Sequence, residues 1–374
     1  MKIIFLNSHP ISYFSDMYRF LSDKIDFEVW YCSKYGLKSH FDKEFNSVRE
    51  ISGLLDGFKS RFLVNLGISS SGKEKLFDTI NLFIFFDLLS LKKGDIIICH
   101  GWSRLTMILI IIFANFFGIK VGLRSETPII HEYNYSGVKK FLRKQILKVL
   151  FNRINYFFYI GSNNKKFYQK MGVKDDKLIF MPYSVNPNYK SYNPLKNRTN
   201  KIVFSGKLID KKRPQDLLVA FSKLDNKNVK LCFAGTGNLK EYLEQEVKKL
   251  NLEERVEFLG LLNKKDLNKL YSTSDIIVLP SGYGETWGLV INEALEFGLP
   301  VIVSDMVGSA IDLCDNNGYI FKYKSVKDLS FKLNKLINSP KKDYDEMVKN
   351  SFRIKNLYSF ETIKNNLQKL NNKL

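Results

Sequence analysis

Ser281 to Asp305 reads SGYGETWGLVINEALEFGLPVIVSD. It follows Asp275-Ile-Ile-Val-Leu-Pro280, whose apolar run has the length and branching of a buried strand. Gly282 and Gly284 then turn the chain, and a helix is expected to open near Gly288 and to carry Glu293. Glycine lets backbone N–H groups come close to a ligand, and a helix N-terminus beyond it favours a diphosphate. Glu285 and Glu293 bracket that anion site. A carboxylate repels phosphate, so both are expected to accept hydrogen bonds from hydroxyls on either side of it, a sugar on one and a ribose on the other.

A second phosphate signal stands upstream. Gly206-Lys-Leu-Ile-Asp-Lys-Lys-Arg-Pro214 follows the strand-like run Lys201 to Ser205. Gly206 permits close approach, Lys207 and Lys212 can reach phosphate oxygens as point charges, and Lys211 and Arg213 read as solvated neighbours. Gly235-Thr-Gly237 and Gly260-Leu-Leu262 close two further strand-like runs and by themselves read as tight turns.

Glu285-x7-Glu293, with Pro280-Ser281 before it and Gly298-Leu-Pro-Val-Ile-Val-Ser304 after it, resembles glycosyltransferase family 4, the retaining enzymes of GT-B fold. Without that setting the same residues would describe a Rossmann loop whose carboxylates cap helices. The resemblance implies an α/β chain of two Rossmann-like domains whose parallel sheets face a central cleft. It implies that Gly206, Lys207 and Lys212 hold the donor diphosphate, Lys207 standing where arginine is commoner. Gly235 matches a second glycine turn, Gly260 and Leu261 a segment that holds the base, and Tyr283, Gly284, Thr286, Trp287, Gly288 and Leu289 the donor loop. Glu285 is assigned to the donor sugar and Glu293 to the ribose. Retention by front-face transfer, with no protein nucleophile assigned, follows from the resemblance. No DxD metal motif stands in a suitable loop, Asp343-Tyr-Asp345 reading as a solvated helix face, so the co-substrate is a nucleotide sugar and no metal or other cofactor is expected.

The rest of the chain is read outward from there. Its 374 residues suggest roughly two or three domains. Strand-like runs at Lys2–Leu6, Phe27–Cys32, Asp95–Cys99, Lys120–Arg124 and Tyr156–Ile160 alternate with helical ones at Tyr13–Ser22, Phe77–Leu91, Leu105–Phe117 and Lys139–Phe151. Continuous hydrophobicity in the strands argues parallel sheet covered on both faces. The division expected is an acceptor-binding domain over 1–182, a Pro- and Asn-rich linker over 183–199, a nucleotide-sugar domain over 200–355, and a helix over 356–374 that crosses back to the first domain, the last by resemblance only.

In the first half the family's glycine-rich loop is replaced by Asn7-Ser-His-Pro-Ile-Ser-Tyr13, and its sugar-contacting histidine by Ser125 or Glu126. Glu126 is the catalytic-side candidate there, with His9, His100 and Arg124 as acceptor-side candidates. Cys32, Cys99, Cys232 and Cys314 are far apart and read as reduced core thiols of a cytosolic protein. Met1-Lys-Ile-Ile-Phe-Leu is too short for a signal peptide and Leu105–Phe117 too short to span a bilayer.

A net charge of +20 points to an anionic partner. Leu142, Ile146, Val149 and Leu150 form an apolar stripe among Lys139, Lys140, Arg143, Lys144, Lys148 and Arg153, a pattern shared by helices packed on a sheet and helices lying on anionic membranes. The function expected is transfer from a UDP- or GDP-sugar to a glycan or lipid-linked acceptor in cell-surface polysaccharide or lipopolysaccharide assembly, in the cytoplasm, peripheral on the inner face of the membrane. The competing readings are a nucleic-acid-binding protein, for which no zinc spacing, RNA-binding strand motif or helix-turn-helix is present, and an inactive nucleotide-sugar sensor.

Overall fold

The computed structural model describes residues 1–37, 40–42, 47–49, 53–67, 76–134, 136–185 and 198–373, so residues 186–197 of the expected linker lie outside the described residues. It divides into two compact units, one of Met1–His40, Arg49–Asn186 and Ser359–Leu374, the other of Phe41–Val48 and Pro187–Tyr358.

In chain order the first unit contains β1 (Ile3–Asn7), α1 (Ser12–Leu21), β2 (Phe27–Tyr31), β5 (Ser60–Phe62), α2 (Ile84–Leu89), β6 (Ile96–His100), α3 (Leu105–Phe113), β7 (Lys120–Arg124), α4 (Gly137–Phe151), β8 (Tyr156–Tyr159), α5 (Ser162–Lys170) and β9 (Leu178–Phe180), while β3 (His40–Asp42) and β4 (Ser47–Arg49) pair as a separate sheet that falls mostly in the second unit. The main sheet runs β5-β2-β1-β6-β7-β8-β9, all parallel. β1 and β2 are buried at every position, as apolar runs covered on both faces must be. β5 and β9 are three-residue, half-buried edge strands, too short to stand out as apolar runs.

The helix expected over Phe77–Leu91 is shorter, only Ile84–Leu89. Asn81 explains it. Its buried amide donates to the carbonyls of Cys32 and Val64 at 3.1 and 2.9 Å, partners that an ideal helix would turn it away from. The helix expected over Leu105–Phe117 tightens into a 3-10 turn at Ala114–Phe117, which Gly118 closes in the left-handed region.

The second unit contains β10 (Lys201–Ser205), α6 (Pro214–Ser222), β11 (Lys230–Ala234), α7 (Lys240–Lys249), β12 (Val256–Gly260), α8 (Lys264–Ser272), β13 (Ile276–Leu279), α9 (Leu289–Leu295), β14 (Val301–Ser304), α10 (Ala310–Leu313), β15 (Gly318–Phe321), α11 (Val326–Ile337) and α12 (Lys341–Leu357). Its parallel sheet runs β12-β11-β10-β13-β14-β15. The final helix, α13 (Phe360–Lys373), belongs to the first unit: Phe360 meets Phe20 of α1 and Asn366 donates to the carbonyl of Phe180 in β9. α12 continues to Leu357, and the first unit resumes at Ser359.

Candidate active site

In the second unit the chain builds β10, β11 and β12 outward in one direction and then places β13 on the other side of β10. Ligands of open α/β sheets bind outside the carboxyl ends of the strands where the order reverses, here between β10 and β13. The two loops at that point are Gly206–Arg213 and Ser281–Gly288, which carry the two phosphate signals of the sequence.

They are joined. Gly282 donates its N–H to the carbonyl of Lys211 at 2.8 Å, and Lys212 Nζ is ion-paired and hydrogen-bonded to Glu285 Oε2, both side chains being largely buried. The sequence suggested separate contacts for these two residues, and the structure makes them one pair. Lys207 lies half-buried in the same loop, whereas Arg213 is turned to a bidentate pair with Asp216 at 2.9 and 2.7 Å. Gly206, Gly235 and Gly260 close β10, β11 and β12 side by side. At Gly235 only glycine fits, because a Cβ would stand 1.9 Å from the carbonyl oxygen of Gly206 at a φ of +146°. Leu261 and Tyr283 are exposed, and Gly284 and Thr286 half-buried.

Gly288 caps α9, a helix of 7 residues. Leu289 opens that helix. Trp287 is turned inward: its indole N–H donates to Asn292 Oδ1 at 2.8 Å and its ring lies 5.7 Å from that of Tyr358. Two supports were missed by sequence reasoning. Gly308 donates to the carbonyl of Glu285 at 3.0 Å, and Ser309 Oγ to that of Trp287 at 2.5 Å, so the loop after β14 clamps the glutamate loop. Tyr271, at the end of α8, donates to Glu293 Oε2 at 3.1 Å. The only available signal was a Gly-Ser pair following a strand.

The Glu293 carboxyl is held above its ordinary range, chiefly by burial, against the Tyr271 hydrogen bond and the charge of Lys264. A carboxyl whose folded pKa exceeds its unfolded one gives stability that is complete below the unfolded value and is lost as pH rises through the folded value. Glu293→Gln is therefore expected to gain stability relative to the parent chain between acid and neutral pH. Denaturant unfolding at both pH values measures this, and a difference independent of pH contradicts it.

In the first unit the order also reverses, between β1 and β6. His9 follows β1, its Nδ1 2.9 Å from Ser8 Oγ and its ring edge-on to Tyr35. His100 ends β6 and Arg124 ends β7, paired in register. Glu126 is partly exposed and 4.0 Å from Arg124 Nη1. Among the described residues no cluster of three or more His, Cys, Asp or Glu side chains is placed to hold a cation.

A protein of Methanocaldococcus jannaschii described as an uncharacterized glycosyltransferase is 30% identical over 257 residues, 59% of this chain and 60% of that one. A Campylobacter jejuni protein, GalNAc-alpha-(1->4)-GalNAc-alpha-(1->3)-diNAcBac-PP-undecaprenol alpha-1,4-N-acetyl-D-galactosaminyltransferase, is 28% identical over 201 residues, 53% of this chain and 54% of that one. The match thus spans little more than half the length of these relatives. The crystal structure of Anabaena HepE in complex with UDP superposes over 100% of both chains with a TM-score of 0.75 at 17% identity, which shows the fold, GT-B with two Rossmann-like units. Residues 185–353, and with them the whole carboxyl-edge constellation from Gly206 to Ser309, match the family described as glycosyl transferases group 1.

Proposed function

We propose that this chain is a retaining, metal-independent glycosyltransferase of family 4 that moves a sugar from a UDP- or GDP-sugar to a glycan or lipid-linked acceptor in cell-surface polysaccharide or lipopolysaccharide assembly. The observation that carries the reading is the Lys212–Glu285 pair at the point of strand reversal, inside the segment that matches the family. Lys212 and Lys207 meet the charge that develops on the departing diphosphate, in place of a metal, while Glu285 and Glu293 accept from the donor's hydroxyls. Binding of UDP by HepE supports a uridine donor, and the undecaprenol-diphosphate glycan in the Campylobacter relative's name supports a lipid-linked acceptor. A thermal-shift panel of nucleotides and nucleotide sugars tests the donor site. A donor at 100 times its dissociation constant is expected to stabilise by about 2.7 kcal/mol. A melting temperature unmoved by every nucleotide, with salt-sensitive binding to nucleic acid, would favour the nucleic-acid reading instead.

The reading includes peripheral attachment to the inner face of an anionic membrane. Among the described residues no helix is long and apolar enough to cross one. α4 supports attachment because it packs inward through Leu147 and Phe151, with Leu150 half-buried, and leaves Val138, Phe141, Leu142, Ile146 and Val149 between 53% and 73% exposed. Phe86, Leu89 and Phe116 of the same unit are also exposed, and the Arg153 guanidinium lies 6.0 Å from the Phe116 ring. Lys139, Lys144 and Lys148 accompany the stripe, and each basic residue near an anionic bilayer adds about 1 kcal/mol. Phe141→Ser with Ile146→Ser is expected to weaken co-sedimentation with vesicles of phosphatidylglycerol and phosphatidylcholine by about tenfold or more, without lowering stability. Equal binding to pure phosphatidylcholine, or no effect of the pair of substitutions, would contradict attachment through this surface.

A further inference from the structure

Three neighbouring strands of the first unit, β1, β6 and β7, end in side chains that each carry a buried polar atom without a hydrogen bond. Asn7 is 1% exposed; its amide donates to Tyr18 Oη at 2.7 Å, while its Oδ1 is buried without a hydrogen bond. His100 has both ring nitrogens shielded from solvent and unpartnered, and its pKa lies well below the ordinary range, through burial first and the charge of Arg124 second. Arg124 is 3% exposed. Its Nε is buried with no acceptor, its guanidinium lies 4.8 Å from the Phe14 ring and 4.5 Å from the Tyr183 ring, and among the described residues its carboxylate contact is Glu126 at 4.0 Å.

Buried polar groups are almost always hydrogen-bonded, and a buried guanidinium whose carboxylate partner stands 4.0 Å away is only partly compensated. That three such groups stand at adjacent strand ends, beside the reversal between β1 and β6, argues against three separate defects. A bound group would satisfy all of them. Arg124 calls for an anionic oxygen acceptor, Asn7 Oδ1 for a hydroxyl donor, and a neutral imidazole for one of each.

We propose that the carboxyl ends of β1, β6 and β7 form a subsite for an anionic, hydroxylated sugar, with Arg124 binding its carboxylate or phosphate and Asn7 and His100 its neighbouring hydroxyls. The identity of this ligand as the transferase's acceptor rests on the proposed function; the anion site itself does not.

The chain has four histidines, so ring resonances can be followed in histidine-labelled full-length protein and His100 assigned by His100→Gln. The probes are glucuronate, glucose 1-phosphate, inorganic phosphate and glucose. At least one sugar anion is expected to move the His100 resonances in a saturable way, and glucose is not. A response to glucuronate alone identifies a carboxylate ligand, and one to glucose 1-phosphate a phosphate ester. Arg124→Gln is expected to abolish the response. Should that variant fail to fold, the near-isosteric Asn7→Asp, which adds a negative charge beside the anion, is expected to weaken binding at least tenfold. Unmoved resonances with every anion, or equal shifts with glucose, would overturn the proposal, as would anion binding undiminished in Asn7→Asp. Stabilisation by UDP is measured in parallel. Its failure with anion binding intact would sink the donor reading and leave the subsite standing, and the reverse pattern would do the opposite.

Discussion

Lys212→Met is expected to lower turnover of the nucleotide-sugar donor by on the order of 10²–10³-fold, the loss usual when one preorganised group facing transition-state charge is removed. The same substitution leaves Glu285, 8% exposed, without its cation. Breaking a buried pair from one side costs about 3 kcal/mol, because the remaining charge is uncompensated. Loss of activity could then follow from loss of fold. The double variant Lys212→Met with Glu285→Gln separates the two effects, since replacing both charges by uncharged groups of similar size is close to neutral for stability. It is expected to recover the parent's denaturation midpoint while turnover stays at or below that of the single variant. A double variant that regains activity along with stability would reduce the pair to a structural tie.

Gly308→Ala should have the largest effect on stability among changes near the site. A Cβ at this position would stand 1.8 Å from the carbonyl oxygen of Thr286 and 3.4 Å from that of Glu285. The contact is with backbone, so no side chain can rotate away. Either the loop after β14 or the loop bearing Glu285 must move, and the 3.0 Å hydrogen bond from Gly308 to Glu285 goes with it. Overpacking of this kind costs about 3 kcal/mol, which for a domain of this size lowers the melting temperature by roughly 6–12 °C. Donor affinity is expected to fall as well, because the displaced loop carries Glu285 and the start of α9. A melting temperature within about 1 °C of the parent's would contradict the clamp, since a change of 1 kcal/mol already shifts it by more than that.

What the sequence made legible follows from where the information lies. The inner strands β10, β13 and β14 of the second unit could be read from local runs because parallel strands buried on both faces are apolar nearly throughout. The loop between β13 and α9 could be read because its glycines and carboxylates sit within a few residues of one another. What joins it to its surroundings could not. Lys212 and Glu285 are 73 positions apart, Tyr271 and Glu293 22, and nothing local marks them as partners. Asn7, Asn81 and Gly308 are likewise ordinary residues in sequence, and their roles arise when distant backbone arrives beside them. The apolar stripe on α4 was visible from its spacing, but which residues faced inward depended on the sheet: Leu147 and Phe151 are buried, while Leu142, Ile146 and Val149 are exposed.

The most direct test of the donor site is release of nucleoside diphosphate from a panel of nucleotide sugars by the full chain, without acceptor and in excess EDTA. Slow release from one donor by the parent chain, abolished in the folded Lys212→Met, Glu285→Gln double variant, is the result expected. Hydrolysis of no donor by the parent, or release by the double variant at the parent's rate, would contradict the assignment of this site to glycosyl transfer.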